Sequence, residues 1–213
     1  MDFDLTQVSL TSIITVVGST GVLSALCTHL FGMFRDWLED RTKRARRASY
    51  AALRLAVQLE TYAIECARRI EEVKTSLASN GYYGKLHGRL PKIPPYPDEI
   101  DWKSLEPSLV DEVLSFPNQL LVSNDITTFV AEDHFPDDTE LATAECLLHC
   151  GYRGVQAWKI ATELRKRYGL KSRNVLSDSW NMLQCLEVEE AKYHDQQRIW
   201  REWKDKNFAA PDK

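Results

Sequence analysis

Cys146, His149 and Cys150 fall at i, i+3 and i+4, with Glu145 directly before them. On a helix this spacing gathers two thiols and an imidazole within about one turn. Zinc takes such sulfur and nitrogen donors, but a structural zinc site needs four, and no second cluster supplies the rest. Both cysteines also lie close to the apolar side of their segment. The pattern therefore reads as core packing, with no resident metal.

The remaining constellations are weaker. Glu145/His149 and Glu190/His194 are spaced by four, whereas a di-iron helical bundle uses Glu-x-x-His. No GxxxxGK[ST] loop is present to cradle phosphates. Pro97-Asp98-Glu99-Ile100-Asp101-Trp102-Lys103 carries acids on a loop, not the separated strand carboxylates of a nuclease. Glu132, Asp133, His134, Asp137 and Asp138 read as a solvated helix-capping loop. The sequence thus assigns no catalytic, cofactor-binding or metal-ligating residue and implies no cofactor. One segment suggests recognition instead. Trp200, Trp203 and Phe208 are interleaved with Arg198, Arg201, Lys204 and Lys206, and such segments can lie at a membrane interface. Trp200 and Trp203 are the candidate interfacial residues, against the plainer expectation that the tryptophans pack into the protein and the charges face water.

These side chains ride on helices. From Arg35 to about Ser79, Ala45, Ala48, Ala52, Leu55, Leu59, Tyr62, Cys66, Ile70, Val73 and Leu77 recur in steps of 3 and 4. Asn80-Gly81 predicts the stop. Residues 80–100, with their glycines and prolines, predict a loop lying on its own domain rather than a ligand for a proline-reading partner. Residues 101–115 predict short helices, and Pro117 the start of another. A helix is expected from Asp138 or Thr139 to about Tyr168, ended by Gly169. Lys171–Leu176 reads as a linker, and the last helix is expected from near Ser177 to about Asn207. No segment alternates as a strand does.

The N-terminus is different. Residues 5–34 contain no Lys, Arg, Asp or Glu, and Arg35-Asp36-Trp37 follows directly. Positions 8–34 therefore predict one transmembrane helix, since positions 8–33 alone would extend roughly 39 Å. The acidic start and the length argue against a cleaved signal peptide. Residues 35–47 carry six basic and three acidic side chains, while residues 1–34 carry only Asp2 and Asp4. Arg41, Lys43, Arg44, Arg46 and Arg47 thus form a topology signal that also suits anionic headgroups. By the positive-inside rule residues 1–7 lie outside and residues 35–213 in the cytoplasm, which places the chain in the plasma or inner membrane. Thr11, Thr15, Gly18, Gly21, Ala25, Thr28 and Gly32 form a small-residue stripe that lets a second helix approach, from another copy or from a partner.

The whole reads as all-α: one N-terminal transmembrane helix followed by an antiparallel bundle of three long helices with short connecting helices. The 213 residues suffice for one domain of ordinary size beyond the anchor. The net charge is −4, with the basic residues concentrated behind the apolar run, which excludes a general nucleic-acid binder. Five cysteines without a CxxC pair fit a reducing cytosol. The expected role is a membrane-anchored scaffold whose helical bundle meets lipid at its anchor and an unidentified cytoplasmic protein at its surface. The alternatives are a membrane-tethered enzyme or effector, or a helical ligand sensor.

Overall fold

The computed structural model describes the backbone of residues 10–133, 139–172 and 181–208, and the side chains of residues 28–130, 141–172 and 181–208. Within these limits all regular structure is helical: α1 Leu10–Ala78, α2 Pro107–Asp133, α3 Thr139–Arg167 and α4 Met182–Phe208, with a 3-10 turn at Trp102–Ser104. Two compact units divide the chain, residues 1–47 and 48–213. α1 contributes to both.

In the first unit, the backbone is helical from Leu10. Its described side chains are exposed or nearly so, including Phe31, Phe34 and Trp37. Trp37 stacks on Phe34 at 6.0 Å, and the Arg41 guanidinium lies 5.4 Å from the Trp37 ring. Lys43 pairs with Glu39 at 2.7 Å, one helical turn away. Among the described residues no helix is long and apolar enough to cross a membrane. The expected N-terminal tail at residues 1–7 lies outside the described residues, as do the side chains of residues 8–27 in the expected span.

The second unit is a helical bundle. Ala48, Ala51, Ala52, Leu55, Ala56, Leu59, Tyr62, Ala63, Cys66, Ala67, Ile70 and Val73 form the buried face of α1. Six of these twelve are alanine, so neighbouring backbones can come close. α1 ends as its sequence demands. Asn80 adopts a left-handed φ of 52°, and the Gly81 N–H donates to Ser76 O at 2.8 Å, closing the last turn. Gly169, at φ 62°, ends α3 in the same way, with the Leu170 N–H donating to Arg165 O at 2.8 Å.

α3 is the helix the others share. It runs antiparallel to α1, where Arg165 meets Glu60 and Gly154 meets Cys66. It is antiparallel to α2, where Arg153 meets Ser123 and Arg167 meets Glu106. Against α4, Gly154 meets Leu186 and Glu145 meets Gln196. The contacts are very close. A Cβ on Gly151 would sit 2.7 Å from the Glu190 backbone nitrogen, and one on Gly154 2.6 Å from Leu186 Cδ2.

Residues 101–133 depart from expectation. In place of several short helices, α2 runs unbroken through Pro117, which makes four long helical segments in the bundle rather than three. Proline has no N–H, so the Val113 carbonyl loses its helical donor. The Tyr96 hydroxyl donates to that carbonyl at 2.8 Å. The loop supplies the bond that Pro117 cannot. Burial pushes the Tyr96 hydroxyl pKa up to about 12, so it stays a donor at any ordinary pH. The loop is pinned elsewhere too, as expected of a connector lying on its own domain. The Gln58 amide donates to Pro94 O at 2.5 Å, the Leu90 N–H donates to Asn124 Oδ1 at 2.9 Å, and Leu90 and Ile100 are buried.

Two substitutions test this packing in chemical unfolding of the full chain. Gly151→Ala should lower stability by about 1–3 kcal/mol through overpacking, although alanine is the better helix former by about 1 kcal/mol. Tyr96→Phe should cost about 1 kcal/mol by leaving a buried acceptor unpaired. Unchanged midpoints would refute both close packing at Gly151 and the replacement of the proline's missing donor.

Candidate functional site

The Cys146–His149–Cys150 constellation separates on folding. Cys146 and Cys150 turn inward towards Cys66, and all three are free thiols with no more than 2% exposure. Cys150 lies beside Cys146 and Cys66, and its pKa lies well above the usual value; the Cys146 thiol lowers it, while the Cys66 thiol and burial raise it further. The neighbouring Cys150 thiol and then burial also raise the Cys146 pKa. Cys185 is pushed up to about 12, first by burial and then by Glu71. A buried thiol held protonated is neither a nucleophile nor a ready metal ligand. Among the described residues no group of three His, Cys, Asp or Glu side chains could hold a metal ion. The acidic loop around His134 lies outside the described side chains.

His149 instead faces α4. Its Nε2 lies 3.3 Å from Glu145 Oε1, and its ring meets Tyr193 edge-on at 5.2 Å. Tyr193 stacks on Tyr152 at 4.4 Å, and His194 meets Tyr152 edge-on at 5.6 Å. His149 holds the Glu145 carboxyl below its ordinary value of 4.5, aided by the Gln196 amide at 3.2 Å. At 1% exposure the imidazole cannot meet a solvent-borne substrate. Glu145 and His149 lie one turn apart on α3, and Gln196 and Tyr193 tie them to α4.

Two further buried carboxylates are built into the bundle. Glu60, with its side chain 2% exposed, takes both Arg165 Nε and Nη2, at 2.5 and 3.0 Å. Glu189 is met by Lys74 at 3.3 Å and Lys192 at 3.0 Å. Between α2 and α3, Arg153 donates to Ser123 Oγ and to the Gln119 and Gln156 side-chain oxygens at 2.7–2.9 Å. This network satisfies the polar groups it contains; it fills the α2–α3 seam. Sequence reading missed all three assemblies, because their cross-helix partners stand 30 to 115 positions apart.

Several large apolar side chains face outward. Leu114, Leu121, Val122, Ile126 and Phe129 are exposed and fall within about 140° of one another on α2. Trp200 and Trp203 are also exposed, at 54% and 53%, so the expectation that they pack into the bundle is corrected. The register explains it. Gln196 of α4 already lies beside Glu145, less than two turns from the start of α3 at Thr139. Further along, α4 outruns its partner, and Glu189 is its last buried residue. Of the expected small-residue stripe, Thr28 is exposed and Gly32 half-buried, and a Cβ on Gly32 would meet nothing within 4 Å. The side chains of Thr11, Thr15, Gly18, Gly21 and Ala25 lie outside the described residues. Arg41, Lys43, Arg44, Arg46 and Arg47 are all exposed.

No protein-family model, curated protein or solved structure matches the chain.

Arg165→Met should destabilise the chain by about 3–5 kcal/mol, since it leaves Glu60 buried without its guanidinium; Glu60→Leu with Arg165→Met should recover most of that loss. Equal losses in the single and double variants would show that the pair does not act as a unit. The depressed Glu145 pKa implies stability that is present above pH 4.5 and is lost as pH falls through the folded value. Glu145→Gln should therefore flatten the acid limb of the stability–pH profile. An unaltered slope below pH 4.5 would remove His149–Glu145 as its source.

Proposed function

We propose that the chain is a single-pass membrane-anchored protein whose cytoplasmic helical bundle is an interaction module. The observation that carries the interaction role is the α2 stripe. Leu114, Leu121, Val122, Ile126 and Phe129 are exposed on a helix whose opposite side supplies Val113, Phe116 and Leu120 to the core. A folded domain that leaves several large apolar side chains together on one helix has a surface suited to a protein partner. The chemistry described above points the same way, because its titratable clusters are buried between helices.

The anchoring rests on charge. Residues 5–34 carry none, six basic side chains follow within residues 35–47, and none precedes. That asymmetry supports an N-out, C-in orientation in the plasma or inner membrane. The small-residue stripe from Thr11 to Gly32 supports pairing with a second membrane helix, from another copy or a partner.

Alkaline extraction of membranes should leave the full chain in the pellet, and protease added from the cytoplasmic side should digest residues 35–213. Recovery in the alkaline supernatant rejects the span. Gly18→Ile with Gly21→Ile should weaken self-association in a membrane two-hybrid assay by about tenfold or more; an undiminished signal rejects the homotypic stripe. Leu121→Asp with Phe129→Asp should abolish specific co-purification from detergent-solubilised membranes while leaving the helical circular-dichroism signal intact. Retention of the same partners would reject α2 as the docking face.

A further inference from the structure

We infer that the last three turns of α4 form a second membrane contact, a helix lying flat on an anionic lipid surface. No residue after Glu189 is buried in α4, yet the helix continues to Phe208. About five more turns of backbone are ordered into a helix, and their last turns have no neighbour from α3. In that stretch Ile199, Trp200, Trp203 and Phe208 are all more than half exposed.

The distribution is that of an interfacial helix. At about 100° per residue, Ile199, Trp203 and Trp200 fall within about 100° of arc. Lys206 borders that arc on one side and Lys204 on the other, close enough for their stems to run along the apolar side while the ammonium groups reach headgroups. Lys204 lies 5.4 Å from the Trp200 ring centroid, and Trp203 meets Phe208 edge-on at 5.6 Å. Residues 196–208 carry four cations against two carboxylates, in a chain whose net charge is −4. The positive excess is thus local to the aromatic surface. Indole rings sit naturally where one side is apolar and the other wet, which is the headgroup boundary. The cations bordering the aromatic arc, in a chain whose net charge is negative, fit a surface of negative headgroups. The contact goes beyond the anchoring of residues 8–34 and does not depend on it.

The test uses the full chain reconstituted into vesicles with brominated acyl chains, which quench tryptophan that enters the bilayer boundary. In vesicles of phosphatidylcholine with phosphatidylglycerol, Trp200→Phe with Trp203→Phe should remove a large share of the quenched emission. Trp37 will contribute a constant part. Lys204→Gln with Lys206→Gln should weaken the quenching of Trp200 and Trp203 by about tenfold in apparent partitioning, an effect absent in pure phosphatidylcholine. All four side chains are exposed, so folding is not at stake. Equal quenched amplitude in the parent and the Trp200→Phe/Trp203→Phe variant overturns the inference. So does a fall in oligomeric mass with that variant without change in quenching, which would make a second copy the occupant. Alkaline extraction reads the span separately: release of the chain with tryptophan quenching retained would remove the anchor and leave this contact standing.

Discussion

The bundle depends on how closely α1 and α4 approach α3. At Gly154 both neighbours arrive at once: a Cβ there would lie 2.6 Å from Leu186 Cδ2 on α4 and 3.1 Å from Cys66 Cβ on α1. One turn earlier, at Gly151, the backbone of α4 itself occupies the space. This closeness brings the alanine-rich side of α1 against its neighbours and packs thiols where larger side chains would not fit. Interiors at this density have little room to relax, so a single methyl group is felt.

Close approach also dictates what polar groups must do. Glu60, Glu145 and Glu189 are buried among helices, and each has a cationic or hydrogen-bonding partner on the same or an adjacent helix. Such pairs contribute little net stability, since desolvation offsets most of their attraction, but removing one member leaves an uncompensated charge. They act on register. A slide of α3 by one turn would separate Arg165 from Glu60 and Arg153 from Gln119 and Ser123 together.

How far this was legible in the sequence varies by element. Asn80-Gly81 and Gly169 marked helix ends because a left-handed residue is needed there and few residue types supply it. The apolar repeat of α1 located its buried face from Ala48 to Val73, while Ala45 and Leu77 at its margins are exposed. Pro117 misled, because the donor that compensates it comes from Tyr96, outside the helix. On α3, Ala142, Cys146 and His149 are buried while Leu141 is exposed. Small residues carry little hydropathy but are what close packing selects. Trp200 and Trp203 were misplaced because one helix's sequence does not say how long its neighbour is. As for function, apolar exposure on α2 appears only once the bundle is assembled, since the same leucines and phenylalanine would serve equally well inside.

The bond from Tyr96 to Val113 links two parts of the protein that differ in kind. The connector contains no regular structure of its own, whereas Val113 sits fully buried in the second turn of α2. Peeling the connector away would strand a carbonyl in an apolar interior, next to a proline that has nothing to offer it. The segment around Tyr96 and the first turns of α2 should then come apart and close together as one cooperative unit. A stretch that looks like a tether is, in energetic terms, a part of the helix it crosses.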